Sequence, residues 1–346
     1  MPPLATLDGL HGDLSRRRFL TAAAAAGLLT ACGSDATSNP AVPPAGPWTF
    51  IDDRGVEVTR PSWPSQIVTN DQAGAALTSL GIRPVGIFSS APMDQNPILT
   101  GVDLAGAESL GEVYGEINVE KLAALAPDLV VVPFDPRQDG PPFGFVDGPL
   151  QGQVQAIAPI AAIDGIKDPV QVLARFAELA AALGADLQAP APAAARKRFE
   201  DAGSALRAAV AAKPDLLAVA LYATPSEGIS FCRPATFPGL RQLQQLGLEL
   251  VVPEGGAADV NEDFANFFFD SVSLELAGKY PADLILLDAD TAPEDMAGVP
   301  TWAALPAVQA GQLAPFRRLG SWTYEQNAAE IEGIAATIRD ANPNLV

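Results

Sequence analysis

One fifteen-residue pattern occurs twice in this chain, 155 residues apart. Asn118–Val132 reads NVEKLAALAPDLVVV and Ser273–Leu287 reads SLELAGKYPADLILL. Each copy opens on a small polar residue, carries a glutamate two places on (Glu120, Glu275) and an aspartate eight places later (Asp128, Asp283). Each closes in a run of aliphatics. The polar residue suits a helix N-cap, and the glutamate then sits in the first turn, where the helix dipole favours a carboxylate. A run of aliphatics after a turn reads as a strand buried on both faces, as in a parallel sheet. A helix–turn–strand unit found once in each half predicts two similarly built α/β lobes, and two such lobes invite a cleft between them.

The rest of the chain can be placed around that pair. Trp48–Val58 reads as a hairpin turning at Asp53-Arg54-Gly55. Strands are predicted at Ile67–Thr69, Val85–Phe88, Leu129–Val132 and Pro159–Ile163. Helices lie between them at Gln72–Leu80, Val119–Leu125 and Val146–Ile157. A further helix takes Asp168 as its cap, Pro169 at its first position and Gly184 as its stop. Alternating strand and helix predicts a parallel sheet with covering helices. Residues 190–212 are rich in Ala, Lys, Arg and Glu and hold no strand signal. As a helix they would span about 34 Å, enough to cross between domains. Beyond them come strands at Leu216–Tyr222, Ile229–Cys232, Leu248–Val252, Leu284–Leu287 and Leu313–Phe316, then a last helix from Tyr324 to Asp340. The predicted division is an N-terminal lobe over 48–189, a linking helix over 190–212 and a C-terminal lobe over 213–346.

The N-terminus states where such a chain works. Ser15-Arg16-Arg17-Arg18-Phe19-Leu20 has the form of a twin-arginine export signal. The Ala-rich apolar stretch that follows, roughly a dozen residues, is too short to span a bilayer and reads as a signal-peptide core. Leu29-Thr30-Ala31-Cys32 matches a lipoprotein cleavage box, with Cys32 as the lipid-modified first residue of the mature chain. Residues 1–31 are then a signal peptide and 32–47 a disordered tether, anchored stably if Cys32 carries two or more acyl chains. Processing removes three arginines and two aspartates and takes the net charge from −20 to −21. It also removes His11, the only histidine. A chain without histidine has no Ser-His-Asp or Cys-His triad and no His-rich metal site. Cys232 is left without a disulfide partner. The acidity argues against nucleic acid, and no G-x-S-x-G element occurs. Carboxylate-pair chemistry stays open, although Glu120 and Glu275 fall on different lobes at helix starts and not in a pocket.

Taken together, the Asp53-Arg54-Gly55 hairpin, IVTNDQAGAALTSLGIRPVGI (67–87), NVEKLAALAPDLVVV, FPGLRQLQQLGLE (237–249), WAALPAVQAGQL (302–313) and SWTYEQNAAEIEGIA (321–335) carry a resemblance. Over nearly all of 48–340 the chain resembles the substrate-binding lipoproteins of bacterial iron-siderophore and cobalamin ABC importers. The resemblance implies two Rossmann-like lobes joined by a single long helix, with the ligand cleft between the lobes. It implies a small-molecule iron chelate as ligand, an ABC permease with its ATPase as partner, no cofactor and no protein metal ligands. It further implies that Glu120 and Glu275, each matching a glutamate on top of one lobe, dock onto permease arginines. A monomer is expected.

Ligands of open α/β sheets bind outside the carboxyl ends of the strands. That rule selects Asn70, Asp71, Ser89 and Ser90, then Phe134 and Arg137 on the first lobe; Tyr114, which precedes the helix of Glu120, is placed on the same rim. On the second it selects Tyr222, Phe231, Arg233, Trp322 and Tyr324, the aromatic at Trp322 being a cleft position in the resembled proteins. Arg137 and Arg233 are expected to meet ligand oxygens through forked bonds. Phe143 and Phe145 face a ligand or fold over their own lobe, while Trp302 reads as packing. Few basic candidates suit a neutral hydroxamate chelate better than an anionic tris-catecholate. Haem or cobalamin on the same fold remains an alternative, with Tyr114, Tyr222 or Tyr324 as a haem ligand. An exported hydrolase and a non-transport lipoprotein are the remaining alternatives.

Overall fold

The antiparallel pair β1 (Trp48–Ile51) and β2 (Glu57–Arg60) forms the expected hairpin, with Gly55 at φ 76° in its turn. The computed structural model describes residues 46–145, 147–289 and 291–346; the export segment and Cys32 lie outside them, as does the tether up to residue 45. The hairpin is fastened to the first sheet by its own acids. Asp52 accepts from the Ala162 N–H at 3.0 Å and from Arg54, whose guanidinium reaches the Ile160 carbonyl at 2.7 Å. Asp53 accepts from the Asp164 N–H, from Lys167 at 3.1 Å and from Arg175 at 2.6 Å.

Five strands make the first sheet: β3 (Ile67–Asn70), β4 (Gly86–Phe88), β5 (Glu108–Gly111), β6 (Leu129–Phe134) and β7 (Ile160–Asp164). Their order is β5-β4-β3-β6-β7 and every pairing is parallel, as the alternation of strand and helix requires. The helix Asp71–Ser79 starts where Asn70 accepts from the Ala73 N–H at 3.0 Å. The helix Pro169–Ala182 differs from expectation at its start: Asp168 makes no side-chain cap bond and instead accepts from Gln245 of the second lobe at 2.5 Å.

The helix Pro190–Ala211 links the lobes. Its 22 residues give a rod of about 33 Å. Phe199, Ala202, Leu206 and Ala209 join the core of the second lobe against the last helix, Tyr324–Asp340. No helix among the described residues is long and apolar enough to cross a membrane.

The second sheet contains β8 (Leu217–Thr224), β9 (Gly228–Cys232), β10 (Glu249–Leu250), β11 (Phe269–Val272), β12 (Leu284–Asp288) and β13 (Leu313–Phe316). The order is β11-β9-β8-β12-β13, with β10 pairing the start of β8. It is mixed and not parallel throughout, since β9 runs against β8 and β11 against β9. Gly228, at φ 92°, permits that hairpin: a Cβ there would lie 2.4 Å from the Val272 carbonyl oxygen.

The repeated aspartate does the same work in both lobes. Asp128 donates its N–H to the Gln66 carbonyl at 2.7 Å and accepts the Gln66 N–H at 3.0 Å. Asp283 forms the matching pair with Leu217, at 2.8 and 3.0 Å. Each thereby ties the strand it opens (β6, β12) to the entry of its parallel neighbour (β3, β8).

Candidate ligand-binding cleft

Two adjoining cavities, of about 520 and 560 Å³, open between the lobes and share Gln72, Ser90, Ile98, Asp135, Gln138, Phe143, Phe264 and Leu319 in their walls. The first lobe supplies polar groups from the ends of β3, β4 and β6, beside the rings of Phe88, Tyr114, Phe143 and Phe145. Asp71, 4 % exposed, accepts from the Ser90 N–H at 3.1 Å, the Ser90 hydroxyl at 2.7 Å and the Asn96 amide at 2.8 Å. Its other oxygen accepts the Gln72 N–H. The second lobe supplies Phe237, Phe264, Phe268, Phe269 and Trp322, with Arg317 and Arg318 directly after β13 and Asp288 at the end of β12.

Each arginine of this cleft is met by a carboxylate. Asp135 holds Arg137 at both Nε (3.0 Å) and Nη2 (2.9 Å) and also accepts from Gln138. Burial alone would raise the Asp135 carboxyl, but these bonds outweigh it and hold the group below the ordinary carboxylate range. Arg318 Nε lies 2.7 Å from Asp288, with the guanidinium over the rings of Tyr222 and Phe269. Behind the wall, Glu330 accepts the Arg317 N–H at 3.1 Å and the Ser321 hydroxyl at 3.2 Å, bracing the loop between β13 and the last helix. Burial pushes the Glu330 carboxyl up in spite of those bonds.

Several bonds cross from lobe to lobe. Arg137 Nη1 donates to the Thr236 carbonyl at 2.8 Å, Asn261 Nδ2 to the Arg137 carbonyl at 3.0 Å, and Gln326 Nε2 to the Ile98 carbonyl at 2.9 Å. Trp322 crosses as well. It is 4 % exposed, meets Phe176 edge-on with centroids 6.2 Å apart, and lies in the core cluster of the first lobe. Gly165 leaves it room, since a Cβ there would sit 3.0 Å from the indole.

The structure sorts the sequence-selected residues. Tyr114, 55 % exposed, lines the first cavity with Asn70, Asp71, Ser89, Phe143 and Phe145; Arg137 and Trp322 line the second. Phe134, Tyr222 and Tyr324 are half-buried and line neither. Tyr324 turns toward the linking helix, its ring 5.6 Å from that of Phe199. Two placements need correction. Phe231 is fully buried, on the face of the second sheet that packs against Trp302 and Met296. Arg233 is buried and spends its guanidinium on four backbone carbonyls, those of Pro253, Glu254, Gly255 and Asn266. Both follow from assigning β9 to a parallel sheet: it runs the other way, so the strand-end rule does not apply to it. Arg137 reaches the cleft, but its forked bonds go to Asp135. Trp302 is packing, as expected.

Sequence reasoning missed Asp135, Asp288, Arg317 and Arg318. All four stand at or just after the ends of parallel strands, so the rule that selected the others would have found them. Cys232 is buried, which pushes its thiol up and leaves it inert. Among the described residues no group of three or more His, Cys, Asp or Glu is placed to hold a metal ion.

Glu120 and Glu275 are both exposed and line neither cavity. Glu120 lies in the first turn of the helix Val119–Ala124, capped by Asn118 at 2.9 Å. Glu275 lies in a short 3-10 turn, Leu274–Leu276, where Ser273 makes no cap bond to the backbone; the Ser273 hydroxyl bonds the Glu275 side chain and holds its carboxyl below its ordinary value.

A family model described as periplasmic binding protein matches residues 109–316. Among solved structures, the crystal structure of DesE, a ferric-siderophore receptor protein from Streptomyces coelicolor, is 32 % identical with a TM-score of 0.75. The match covers 85 % of this chain and 99 % of that one. FhuD2 from Staphylococcus aureus, solved with bound ferrioxamine B, is 16 % identical with a TM-score of 0.55, covering 80 % of this chain and 98 % of its own. SirA from the same organism, complexed with staphyloferrin B, is 17 % identical with a TM-score of 0.56, covering 86 % and 99 %. At those identities the last two share the fold alone. No curated protein sequence matches the chain.

Proposed function

We propose that this chain, which belongs to the periplasmic binding protein family, captures a ferric siderophore outside the cytoplasm and delivers it to an ABC importer. One observation carries the reading: a cleft between two lobes, walled by aromatic rings and hydrogen-bonding groups, set in a chain that matches a ferric-siderophore receptor over 99 % of that protein's length. A ferric siderophore arrives with its iron already enclosed by its own oxygens. Its carrier needs aromatic faces and hydrogen-bonding groups and no metal ligands of its own. Tyr114, Phe143, Phe264, Phe269 and Trp322 provide the faces, while Ser90, Gln138 and the outer edges of Arg137, Arg317 and Arg318 provide the polar contacts. The reaction is binding and release, with no catalytic step.

Delivery adds two elements to the reading. Cys32 carries the lipid that holds the mature protein to the membrane, and Glu120 and Glu275 mark the permease-facing ends of the two lobes. The protein acts as a monomer, with one cleft per chain. The deciding experiment is a tryptophan-fluorescence titration of the mature protein with ferric siderophores, haem and cobalamin. The expected result is saturable quenching by at least one ferric siderophore at micromolar concentration or below, about 8 kcal/mol or more of binding free energy. Saturation by haem or cobalamin alone would replace the ligand while keeping the fold's role. Silence from the whole panel would remove the transport reading.

A further inference from the structure

Three arginines reach the larger cavity, and a carboxylate of the protein meets each of them. Asp135 holds Arg137 at 2.9 Å, Asp288 holds Arg318 at 2.7 Å, and Glu330 lies 3.5 Å from Arg317. The first two carboxylates are nearly sealed from water, with side-chain exposures of 2 and 3 %. The wall of the smaller cavity adds Asp71, whose hydrogen bonds come from Ser90, Asn96 and Gln72, all uncharged. The cleft therefore presents guanidinium edges without surplus positive charge: Asp71, Asp135 and Asp288 in its walls match Arg137, Arg317 and Arg318.

We propose that this cleft selects its ferric siderophore by charge. It takes an uncharged or singly cationic chelate of the hydroxamate class and rejects trianionic tris-catecholates, with Asp135 and Asp288 setting the preference by keeping Arg137 and Arg318 occupied. The inference rests on the siderophore reading above and deepens it. A ferric ion bound by three hydroxamates has no net charge, whereas three catecholates leave the complex trianionic. A trianion entering the cleft gives up strong hydration and must be repaid by cations. Here Arg137 or Arg318 can turn to it only by taking its charge away from a buried carboxylate, which is itself costly. The stacking of Arg318 on Tyr222 and Phe269 opposes that turn further. An uncharged chelate makes no such demand. It takes hydrogen bonds from the guanidinium edges while both ion pairs stay closed.

The test compares two probes on the mature protein by tryptophan quenching: ferrioxamine B, and a ferric tris-catecholate built on 2,3-dihydroxybenzoyl arms. Ferrioxamine B is expected to bind at least about a hundredfold more tightly, with an affinity that changes little as salt is raised. Asp288→Asn and Asp135→Asn, each confirmed as folded by circular dichroism, should shift the ratio of the two affinities toward the catecholate by about tenfold, the size of one charge-assisted bond regained. The two variants lie on opposite lobes, so one stands if the other fails to fold, and the wild-type comparison decides the preference without either. Equal or tighter binding of the tris-catecholate to the wild type would overturn charge selection and leave siderophore capture standing. Folded variants with an unchanged ratio would overturn the role of the two aspartates. Binding of neither probe, nor of any other ferric siderophore, would remove the functional reading and this inference with it.

Discussion

In the first lobe Asp128 exchanges a backbone and a side-chain bond with Gln66; in the second Asp283 exchanges the same two with Leu217. Around that shared device the lobes diverge. The first sheet is parallel throughout, and its strand ends give the cleft Asn70, Asp71 and Ser90. The second is extended by the antiparallel strands β9 and β11, and gives the cleft arginines and phenylalanines. The frame is repeated while the walls are not. Each side still offers both kinds of contact, Tyr114, Phe143 and Ser90 from the first lobe and Phe264, Phe269 and Arg318 from the second, so an amphiphilic ligand would meet rings and polar groups on either side.

The largest effect is expected where the lobes interlock. Trp322 belongs to the second lobe by sequence and to the core of the first by contact, packed on Phe176 under Gly165. Trp322→Ala should cost about 3–5 kcal/mol, the range for emptying a buried aromatic site, and lower the melting temperature accordingly. A variant that melts like the wild type while losing affinity would return Trp322 to a purely ligand-facing role and make the lobes more independent than their contacts indicate.

The shared aspartates come next. Asp283 is 2 % exposed and also accepts the Leu345 N–H at 2.8 Å, so Asp283→Ala strands two part-buried donors and should cost about 2–3 kcal/mol. Asp128 accepts from Ser65 and Gln66 beside solvent, where water can replace it, and Asp128→Ala should cost about 1 kcal/mol. Denaturant midpoints of the two variants measure the difference. Equal losses would mean that strand pairing, and not burial, sets the worth of the device.

Much of this frame is legible in the sequence because it rests on local signals. The aliphatic runs at 129–132 and 284–287, the Pro169 and Gly184 boundaries and the strandless stretch 190–212 each announce an element without outside help. β5 hides in Glu108–Gly111, a segment with a single apolar side chain, and owes its strand to the edge of β4. β11 hides behind a phenylalanine cluster whose Phe268 and Phe269 serve the core of the second lobe and the cleft wall at once. The antiparallel turn at Gly228 depends on contact with Val272, 44 residues away in sequence. Misreading that turn misplaced Phe231 and Arg233. The pairing of Arg137 with Asp135 has a similar lesson: spacing brings an arginine to a strand end, but only the folded loop shows that its bonds are already taken.

Acid should separate the lobes by sign. Burial would raise Asp53 in the first lobe, but bonds from Asp164, Arg175 and Lys167 outweigh it and leave the carboxyl below its ordinary value. A carboxyl lowered by folding contributes stability that is present above about pH 4 and lost as pH falls through its native value. Asp53→Asn should therefore flatten the loss of stability on acidification. Glu330 in the second lobe is raised by burial, so the native state holds its proton more tightly than the unfolded chain. Its contribution falls as pH rises from about 4.3 toward the raised native value, and Glu330→Gln should remove that fall. Urea midpoints between about pH 3 and 7 read both slopes. Changes of slope of the same sign, each taken against the unsubstituted protein, would contradict the assigned directions.

The smallest structural effect, and the sharpest functional one, is expected at Glu120 and Glu275. Both are exposed, both begin a helical turn, and neither touches a cavity. Their settings differ, a capped α-helix for Glu120 and a 3-10 turn braced by Ser273 for Glu275. If each marks the permease-facing end of its lobe, the difference should not matter for transport, because an exposed carboxylate steers a partner's arginines through its charge. Replacing either by Ala should leave folding and ligand affinity essentially unchanged and reduce siderophore-dependent uptake. The double Ala variant should reduce uptake further, and Glu120→Lys with Glu275→Lys should abolish it through repulsion. The measurements are labelled-iron uptake in cells and fluorescence titration of the purified variants. Wild-type uptake by the double Lys variant would end the docking assignment. An uptake loss confined to Glu120 would show that the repeat preserves a fold device in both lobes and a docking surface in only one. A loss of ligand affinity in Glu120→Ala would instead move the binding site away from the strand ends where both cavities now place it.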